Sequence, residues 1–330
     1  MKATPIVVTG GAGFIGSHTC KQLAGEGYLP VAYDNLSTGN GDAVKWGPLV
    51  EGDICDTEGF AATLRLQRPA AVIHFAASAY VTESVTEPAK YYRNNVEGTL
   101  SLLEACHAAG VSKVIFSSSC ATYGIPEVLP IAETSGQRPI NPYGRTKLVG
   151  EQMLADFEFA HGFRSVALRY FNAAGADPGG ELSERHDPET HLIPRALLAA
   201  YGQIPYLEVF GSDLPTKDGT CVRDYVHVSD LARAHVLAAR YLIAGGESTR
   251  LNLGTGRGTS VLEVLDAVER ATGRRVPAVM RPARAGDPPS LYADGRLAQE
   301  VLGFAPRLSD IDTIIGTAAP SFAVELRHAG

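Results

Sequence analysis

The sequence predicts an α/β protein in which a doubly wound parallel sheet is joined to a second, smaller α/β domain. Three observations support this fold class. Short apolar runs alternate with helix-length segments through the first half of the chain, and the runs are apolar almost throughout. Strands of a parallel sheet read in this way because helices cover both of its faces. After about residue 173 the pattern changes, since Gly, Pro, Asp and Glu crowd GADPGGELSERHDPETH and strands become hard to see.

Six strands are expected in order through the first half of the chain. They are PIVVTG, LPVAYDN, PLVEGDI, AAVIHFAA, SKVIFSSS and RSVALRYFN. Segments with helical periodicity lie between them, as in FIGSHTCKQLAGEG, PAKYYRNNVEGTLSLLEACHAAG and YGRTKLVGEQMLADFEFAHG.

The predicted domains are discontinuous, because the first pattern returns later. A long helix, VSDLARAHVLAARYLIAGG, precedes a strand, RLNLGTG, which we expect to rejoin the main sheet. The larger domain is therefore predicted to comprise residues 1–172 and 224–256, and the smaller one residues 173–223 and 257–330.

The composition limits the class of protein. Of the 330 residues, 45% are hydrophobic and 20% charged, which is ordinary for a folded soluble protein of one or two domains. The net charge of −7 argues against a nucleic-acid binder, which needs a basic face for phosphates. No apolar run is long enough to span a bilayer, and the first residues lack the apolar region of a signal peptide, so no membrane association is expected.

The cysteines and histidines indicate a reducing compartment and no metal. The 5 cysteines are an odd number without C-x-x-C spacing, which favours a cytoplasmic protein without a disulfide framework. His186 and His191 come closest to a histidine pair, but their spacing is not a familiar ligand pattern. The sequence therefore predicts no metal site.

A glycine-rich turn after the first strand predicts a phosphate cradle. VVTGGAGFIGS places Gly10, Gly13 and Gly16 in a G-x-x-G-x-x-G pattern between a strand and a helix. Glycines let the backbone approach a pyrophosphate, and the helix N-terminus offers free N–H groups and a positive dipole end. In this setting the pattern indicates a Rossmann-type dinucleotide-binding domain.

Acidic residues at the next two strand ends favour NAD. Asp34 lies where a carboxylate accepts hydrogen bonds from the adenosine ribose hydroxyls, although it could serve only as a turn residue. It would repel a 2′-phosphate, and no Arg follows nearby, so NAD is favoured over NADP. Asp53, in the GDI that closes the third strand, is a candidate for the adenine amine.

The segment NPYGRTK places a phenol and an ammonium one helical turn apart. Asn141 is a good N-cap and Pro142 suits the first helical position, so a helix is expected to start here. Tyr143 and Lys147, four residues apart, then share one face of that helix. The pair could merely decorate a solvated face. Beside a dinucleotide it has a sharper use, because lowering a phenol pKa from ~10 to about 7 requires roughly 4 kcal/mol. One cation ~4 Å away at an effective dielectric of ~20 supplies about that much, and oxidised nicotinamide adds a second positive charge, which would make Tyr143 a base near neutrality.

The fifth strand adds a hydroxyl to this pair. FSSSCATYG places Ser119 at the carboxyl edge of the predicted sheet, where doubly wound folds bind ligands. Serines at strand ends are usually turn or cap residues. Together with a downstream Tyr-x-x-x-Lys, Ser119 becomes a candidate hydrogen-bond partner for the reacting oxygen.

These motifs resemble the extended short-chain dehydrogenase/reductase family and, within it, the UDP-glucose 4-epimerases. The resemblance covers essentially the whole chain and rests on VTGGAGFIGSH, YDNLSTG, GDI, VIHFAA, YYRNNVEGT, FSSSCATYG, NPYGRTK, RYFNAAGA, DGTCVRDYVHVSDLA, NLGTG and RAGDPP. It implies a catalytic set of Ser119, Tyr143 and Lys147, and a tightly held NAD. The implied reaction interconverts UDP-glucose and UDP-galactose through a 4-keto sugar that rotates about its link to UDP.

The resemblance also implies binding residues. Its cofactor contacts correspond to Gly10, Gly13, Phe14, Ile15, Gly16, Asp34, Asn35, Asp53, Ile54, Phe75, Ala76, Ala77, Asn95, Ser117, Tyr143, Lys147, Tyr170 and Phe171. Its substrate contacts correspond to Ser119, Tyr143, Asn172, His191, Leu192, Phe210, Arg223, Tyr225, Arg284, Asp287 and Leu291. The two arginines suit a diphosphate, because guanidinium binds oxyanions bidentately. Arg223 could instead form a plain ion pair with Asp224, and Phe210 could be a core residue.

Two positions depart from the family pattern. Some members carry a Lys just after VIHFA, whereas here ASAYVTES follows and the next lysine is Lys90, which leaves cofactor affinity open. The residue before YAD helps to set the room around the sugar C2 substituent in the family, and here it is Leu291, of intermediate size. We therefore expect main activity on UDP-glucose and UDP-galactose, with N-acetylated sugars as an alternative.

Other functions are weighed against this one. A 4,6-dehydratase needs an extra acid where Cys120 and Ala121 stand. A 4-epimerase of UDP-pentose or UDP-glucuronate stays open, because the C4 chemistry is shared. A non-catalytic NAD-binding sensor would not need Tyr143 and Lys147. The resemblance further implies a homodimer through helices near 89–109 and 143–161, although their pattern fits packing on the sheet equally well.

Overall fold

A computed structural model describes residues 3–284 and 288–323. Its strands are β1 (Pro5–Thr9), β2 (Leu29–Asp34), β3 (Leu49–Glu51), β4 (Val72–His74), β5 (Lys113–Ser119), β6 (Arg164–Tyr170), β7 (Asn172–Ala174), β8 (Leu207–Phe210), β9 (Val222–Arg223), β10 (Tyr225–His227), β11 (Thr249–Leu253), β12 (Thr259–Ser260), β13 (Ala278–Arg281) and β14 (Ser290–Leu291). Its α-helices are α1 (Phe14–Gly25), α2 (Thr57–Gln67), α3 (Val81–Thr86), α4 (Pro88–Tyr91), α5 (Gly98–Ala108), α6 (Pro142–His161), α7 (Leu192–Ala200), α8 (Val228–Ile243), α9 (Val261–Thr272), α10 (Arg296–Leu302) and α11 (Ile311–Ala323). A π-helical segment, Tyr92–Glu97, joins α4 to α5.

The central sheet has seven strands in the order β11-β6-β5-β4-β1-β2-β3, and every neighbouring pair is parallel. The predicted doubly wound α/β fold is therefore confirmed. The predicted return of the chain is also confirmed, because β11 pairs with β6 and aligns Leu251 with Leu168. The chain changes direction across the sheet between β1 and β4, which is where such folds open a crevice for ligands.

Helices cover both faces of this sheet. On one face, α1 and α8 pack against each other and bury side chains such as Leu23 and Leu231. On the other face, α2, α5 and α6 bury side chains such as Leu64, Leu102 and Leu154. The strands between these layers are apolar on both sides because each fully buried aliphatic side chain contributes about 1.5–3 kcal/mol to folding.

A second hydrophobic core forms around α7, α9 and α11, with β8 and β13 paired beside it. Its strands have only two to four residues, which explains why the sequence pattern does not reveal them. Helix α10 packs Ala298 and Leu302 against the large sheet, although the sequence assigns it to the smaller domain. The predicted domain boundaries otherwise remain a prediction.

Two further features concern the helices and the cysteines. Over residues 3–284 and 288–323, every helix is too short or too polar to cross a membrane. The five cysteines all lie within these ranges, and none of them forms a disulfide there.

Candidate active site

The glycine turn between β1 and α1 fits a phosphate group. Gly10 has a φ of 71°, and a Cβ there would lie 2.7 Å from the nitrogen of Ala76, so only glycine suits this position. A Cβ at Gly16 would lie 2.1 Å from the Gly10 carbonyl oxygen. Among the described residues no side chain caps α1 at Gly13, so the N–H groups of its first turn, which starts at Phe14 and Ile15, can bind phosphate oxygens.

Acidic and amide side chains lie at the carboxyl ends of β2 and β3. The Asp34 carboxylate accepts two main-chain N–H bonds of 2.9 Å, and a carboxylate has further lone pairs for ribose hydroxyls. Asn35 donates to Asp53 at 2.9 Å. The N–H of Cys55, 2.8 Å from Asp53, holds the pKa of that carboxyl below its usual range. Ile54 is buried beside them, so the fold brings the predicted adenosine contacts together.

The turn after β4 lies over the glycine turn. Phe75, Ala76 and Ala77 form it, and Asn95 from the π-helical segment holds its far end. The Asn95 side chain accepts from the N–H of Ser78 at 2.8 Å and donates to the Ser78 carbonyl at 3.0 Å. These four predicted cofactor contacts therefore border the crevice between β1 and β4.

No lysine of the described residues takes the family position after β4. Lys90 forms an ion pair of 2.7 Å with Glu83, and its side chain is half exposed. The departure noted in the sequence therefore persists in the fold.

Ser119, Tyr143 and Lys147 meet at the carboxyl edge of β5. Ser119 ends that strand, and Tyr143 is the second residue of α6. The Asn141 side chain accepts from the N–H of Gly144 at 2.8 Å, which starts the helix as the sequence predicts. The Ser119 side chain lies close enough to the Tyr143 phenol to favour its ionised form, and the Lys147 nitrogen lies 5.8 Å from the centre of the Tyr143 ring.

Burial dominates the acid–base properties of this group. It raises the pKa of Tyr143 to about 12, although the nearby Ser119 side chain acts in the opposite direction. It lowers the pKa of Lys147 to about 7. The polypeptide alone therefore stabilises the neutral forms of both side chains, and it does not by itself produce the lowered phenol pKa that the sequence predicts.

The remaining predicted cofactor contacts line the same edge. Lys147 donates to the main-chain oxygen of Ser117 at 2.8 Å. The Ser117 hydroxyl hydrogen-bonds to the phenol of Tyr170, the last residue of β6. Phe171 follows directly and is buried. Strand pairing places Ser119 opposite Tyr170, which fixes these groups relative to the catalytic serine.

Four predicted substrate contacts lie on two small sheets. Pairing of β7 with β10 places Asn172 opposite Tyr225, and the Asn172 amide donates to the main-chain oxygen of Asp224 at 3.2 Å. Pairing of β14 with β9 places Leu291 opposite Arg223. The Asp224 carboxylate accepts hydrogen bonds from the N–H and hydroxyl of Thr255 and from the N–H of Ala293. Its partners are therefore not limited to Arg223, its neighbour in the chain.

Phe210 and Arg284 form a stacked pair. The guanidinium carbon of Arg284 lies 3.9 Å from the centre of the Phe210 ring, a cation–π contact. Phe210 is only partly buried, which argues against a purely core role. Asp287 lies outside the described residues.

His191 lies in a cluster that the sequence did not predict. Its Nδ1 is 3.0 Å from Glu184 and 2.9 Å from Glu189, and His186 contacts the same two carboxylates. We call Glu184, His186, Glu189 and His191 the 184–191 cluster. Against the opposing effect of burial, these carboxylates raise the pKa of His186 to about 9 and that of His191 to about 10. Leu192 follows as the first residue of α7 and packs against the second core.

A buried ion pair beside β5 is a second feature that the sequence does not predict. Arg169 donates to both carboxylate oxygens of Glu151, at 2.8 and 2.5 Å, and both side chains are 2% exposed. Ser118 donates to the same carboxylate at 2.5 Å, and Tyr123 accepts from Arg169 at 2.8 Å. This network ties α6, which holds Tyr143 and Lys147, to the strands that position Ser117 and Ser119.

Known proteins resemble this chain over its whole length. A family model described as "NAD dependent epimerase/dehydratase family" matches residues 6–254. A UDP-glucose 4-epimerase of Rhizobium leguminosarum bv. trifolii is 52% identical over 328 residues, which cover 99% of this chain and 100% of that protein. The structure of UDP-glucose 4-epimerase from Brucella ovis in complex with NAD is 64% identical, with a TM-score of 0.96 over 97% of this chain and 99% of that chain. The UDP-glucose 4-epimerase structure from Stenotrophomonas maltophila, with bound NAD and formylated UDP-arabinopyranose, is 40% identical, with a TM-score of 0.94 over 99% of this chain and 100% of that chain.

Proposed function

This chain belongs to the NAD-dependent epimerase/dehydratase family, and from that premise we infer that it interconverts UDP-glucose and UDP-galactose by inverting C4 of the sugar. It is an NAD-dependent nucleotide-sugar 4-epimerase. The observation that supports the chemistry best is the meeting of Ser119, Tyr143 and Lys147 beside the crevice between β1 and β4.

Bound NAD supplies a site that accepts the C4 hydride and later returns it. The phenol of Tyr143 takes the proton from the sugar 4-hydroxyl and gives it back when the configuration is inverted. Ser119 hydrogen-bonds to the same oxygen and keeps it within reach of the phenol. Lys147, tied to the carbonyl of Ser117, adds the positive charge that favours phenolate when its amine is protonated.

Inversion requires that the UDP stays fixed while the 4-keto sugar turns over. Arg223 and Arg284 are proposed to hold the diphosphate, because each guanidinium can bind two oxyanion oxygens. Phe210, stacked under Arg284 at 3.9 Å, is proposed to offer its ring to the uracil. The sugar itself would make few fixed contacts beyond Ser119 and Tyr143, which leaves it free to rotate.

Leu291 is proposed to limit the sugar C2 substituent. It packs against a small buried cluster that includes Phe171, and Cys120, which follows Ser119, packs against the same cluster. Its intermediate size favours a hydroxyl at C2. A second candidate substrate is a UDP-pentose, since the Stenotrophomonas relative binds a UDP-arabinopyranose derivative.

The direct test is incubation of the purified protein with UDP-galactose and no added NAD, followed by product identification by NMR. We expect UDP-glucose. The same assay with UDP-N-acetylgalactosamine and a UDP-pentose ranks the substrates, and a clear preference for either would overturn the proposed specificity but not the C4 chemistry.

A homodimer in the cytoplasm is proposed as the working state. The five cysteines, all within the described ranges, form no disulfide, which suits a reducing compartment. Leu100 on α5 is 40% exposed and Phe159 on α6 is 96% exposed, so the two helices that dimerise in the family present apolar side chains to solvent. Light scattering after size-exclusion chromatography should give twice the mass of one chain, and Leu100→Glu should shift it toward one.

A further inference from the structure

The 184–191 cluster directs four donor atoms at one point in the segment that precedes α7. One imidazole nitrogen or carboxylate oxygen from each of its residues lies within 4.8 Å of the others. We propose that this cluster is a binding site for a divalent transition-metal ion, with Zn²⁺ as the ion that it fits best.

The spacing of the donor atoms fits tetrahedral coordination. A zinc ion with bonds of about 2.0–2.1 Å keeps its ligand atoms about 3.3–3.4 Å apart. His186 Nδ1 lies 3.1 Å from Glu184 and 3.7 Å from Glu189. His191 Nδ1 lies 3.0 Å from Glu184 and 2.9 Å from Glu189. These four contacts lie within about 0.5 Å of the spacing that a tetrahedron requires, and the two remaining edges, between the imidazoles and between the carboxylates, are at most 4.8 Å.

The chemistry of the donors is that of a closed zinc site. Two imidazole nitrogens and two carboxylate oxygens complete four-fold coordination, and their two negative charges balance a divalent cation. The side chains of Glu184 and Glu189 are only 4% and 11% exposed, and the ion pairs that the structure gives them are those with the two imidazoles. In the metal-free chain the protonated imidazoles compensate these buried carboxylates, and a bound ion would take over that role as it displaces the two protons.

An unpartnered nitrogen supports the assignment independently. His186 Nδ1 is buried and has no hydrogen-bond partner among the described residues, although it faces both carboxylates. Buried polar atoms are nearly always hydrogen-bonded, and coordination to a metal ion is one established reason for an exception. A metal ion on the lone-pair axis of this nitrogen would satisfy it, and neither carboxylate oxygen would then have to lie on that axis.

The position of the cluster suggests what the ion would stabilise. The His186 ring lies 6.2 Å from that of Phe14, the first residue of α1, and the Tyr80 ring lies about 6 Å from both imidazoles. The cluster also ends at His191, directly before α7. A bound ion would therefore fix the start of the second core against the glycine turn of the larger domain.

The test uses the holoenzyme after dialysis against a chelator. Calorimetric titration with ZnCl₂ should show one tight site per chain, and MgCl₂ should show none, because Mg²⁺ prefers an octahedron of oxygens. CoCl₂ should give the visible spectrum of tetrahedral cobalt without a thiolate charge-transfer band. Saturating Zn²⁺ should also raise the melting temperature, because it binds only the folded chain.

Single variants of the 184–191 cluster, with a control variant at another pair of histidines, test whether zinc binds at this cluster. His186→Gln and Glu184→Gln should each weaken zinc binding by about 100-fold or more, since even second-shell changes cost 10–100-fold. The double variant His107→Gln/His161→Gln removes two stacked histidines, 4.2 Å apart, and should leave binding unchanged. Retained NAD in each variant shows that it is folded. Failure of the unaltered protein to bind zinc stoichiometrically, or equal loss in the His107/His161 variant, would overturn the site, as would a cobalt spectrum with sulfur ligands.

Discussion

The amine of Lys147 donates to the main-chain oxygen of Ser117 at 2.8 Å, and so ties the helix of Tyr143 to the strand of Ser119. An ammonium has three donors, and two remain for the cofactor contact that the sequence assigns to Lys147. Because burial lowers the pKa of this amine to about 7, its charge near neutrality depends on its surroundings. Lys147 therefore has both a positioning and an electrostatic role to test.

Tyr143→Phe should strongly reduce turnover and keep the cofactor. The change removes only the hydroxyl that exchanges a proton with the sugar, so kcat should fall by about 10²–10⁴-fold, the usual contribution of a general acid–base. Nicotinamide released from the denatured variant, measured by absorbance or mass spectrometry, should equal that from the unaltered protein. Unchanged turnover would remove Tyr143 from the mechanism.

Lys147→Met should lower both turnover and retained NAD. Met has a similar length but neither the charge nor the donors, so the bond to Ser117 is lost together with the cation near the phenol. We expect the optimum of the kcat–pH profile to move to higher pH, because phenolate formation loses a stabilising charge. If Lys147 had only a structural role, the variant would give less folded protein but the same pH optimum of kcat.

Glu151→Gln keeps the size of the side chain but removes its charge, and it should lower the free energy of unfolding. Removing one partner of a buried ion pair leaves Arg169 uncompensated, which costs about 3–5 kcal/mol. The matched control is Arg270→Gln, because Arg270 pairs with Asp312 on the surface, where such pairs contribute less than about 1 kcal/mol. Urea unfolding of both variants measures the difference, and similar shifts in their midpoints would contradict the prediction.

Much of the fold follows from local patterns, whereas the missed groups depend on long-range contacts. The apolar strands and Gly10 to Gly16 are read from consecutive residues, and Tyr143 and Lys147 from one helical face. Glu151 looks like an ordinary polar position of α6, because its partner Arg169 comes from β6, which otherwise reads as apolar. The 184–191 cluster lies in an irregular segment, so neither a helical nor a strand period reveals that its four side chains converge.

Stability should fall steeply as the pH drops below the ordinary range of histidine. Burial lowers the pKa of His18 to about 4, of His74 to about 3 and of His235 to about 4. As the pH falls through about 6.5 the unfolded chain takes up protons at these sites while the folded chain does not, so stability is lost in this window. Three such groups give a slope of up to about 4 kcal/mol per pH unit, at ~1.36 kcal/mol for each proton.

Urea unfolding measured at several pH values in this window, for the unaltered protein and two variants, gives the contribution of His235 to the slope. The Nε2 of His235 has no hydrogen-bond partner among the described residues, and its ring packs 4.5 Å from that of Phe75. His235→Leu therefore places an apolar side chain in an apolar site and removes one hydrogen bond, the 2.8 Å contact of Nδ1 with the main-chain oxygen of Leu231. This variant should reduce the slope by about 1.4 kcal/mol per pH unit. His161→Gln, at an exposed position, should leave the slope as it is. Equal slopes in the unaltered protein and in His235→Leu would mean that His235 is charged in the folded state, contrary to its burial.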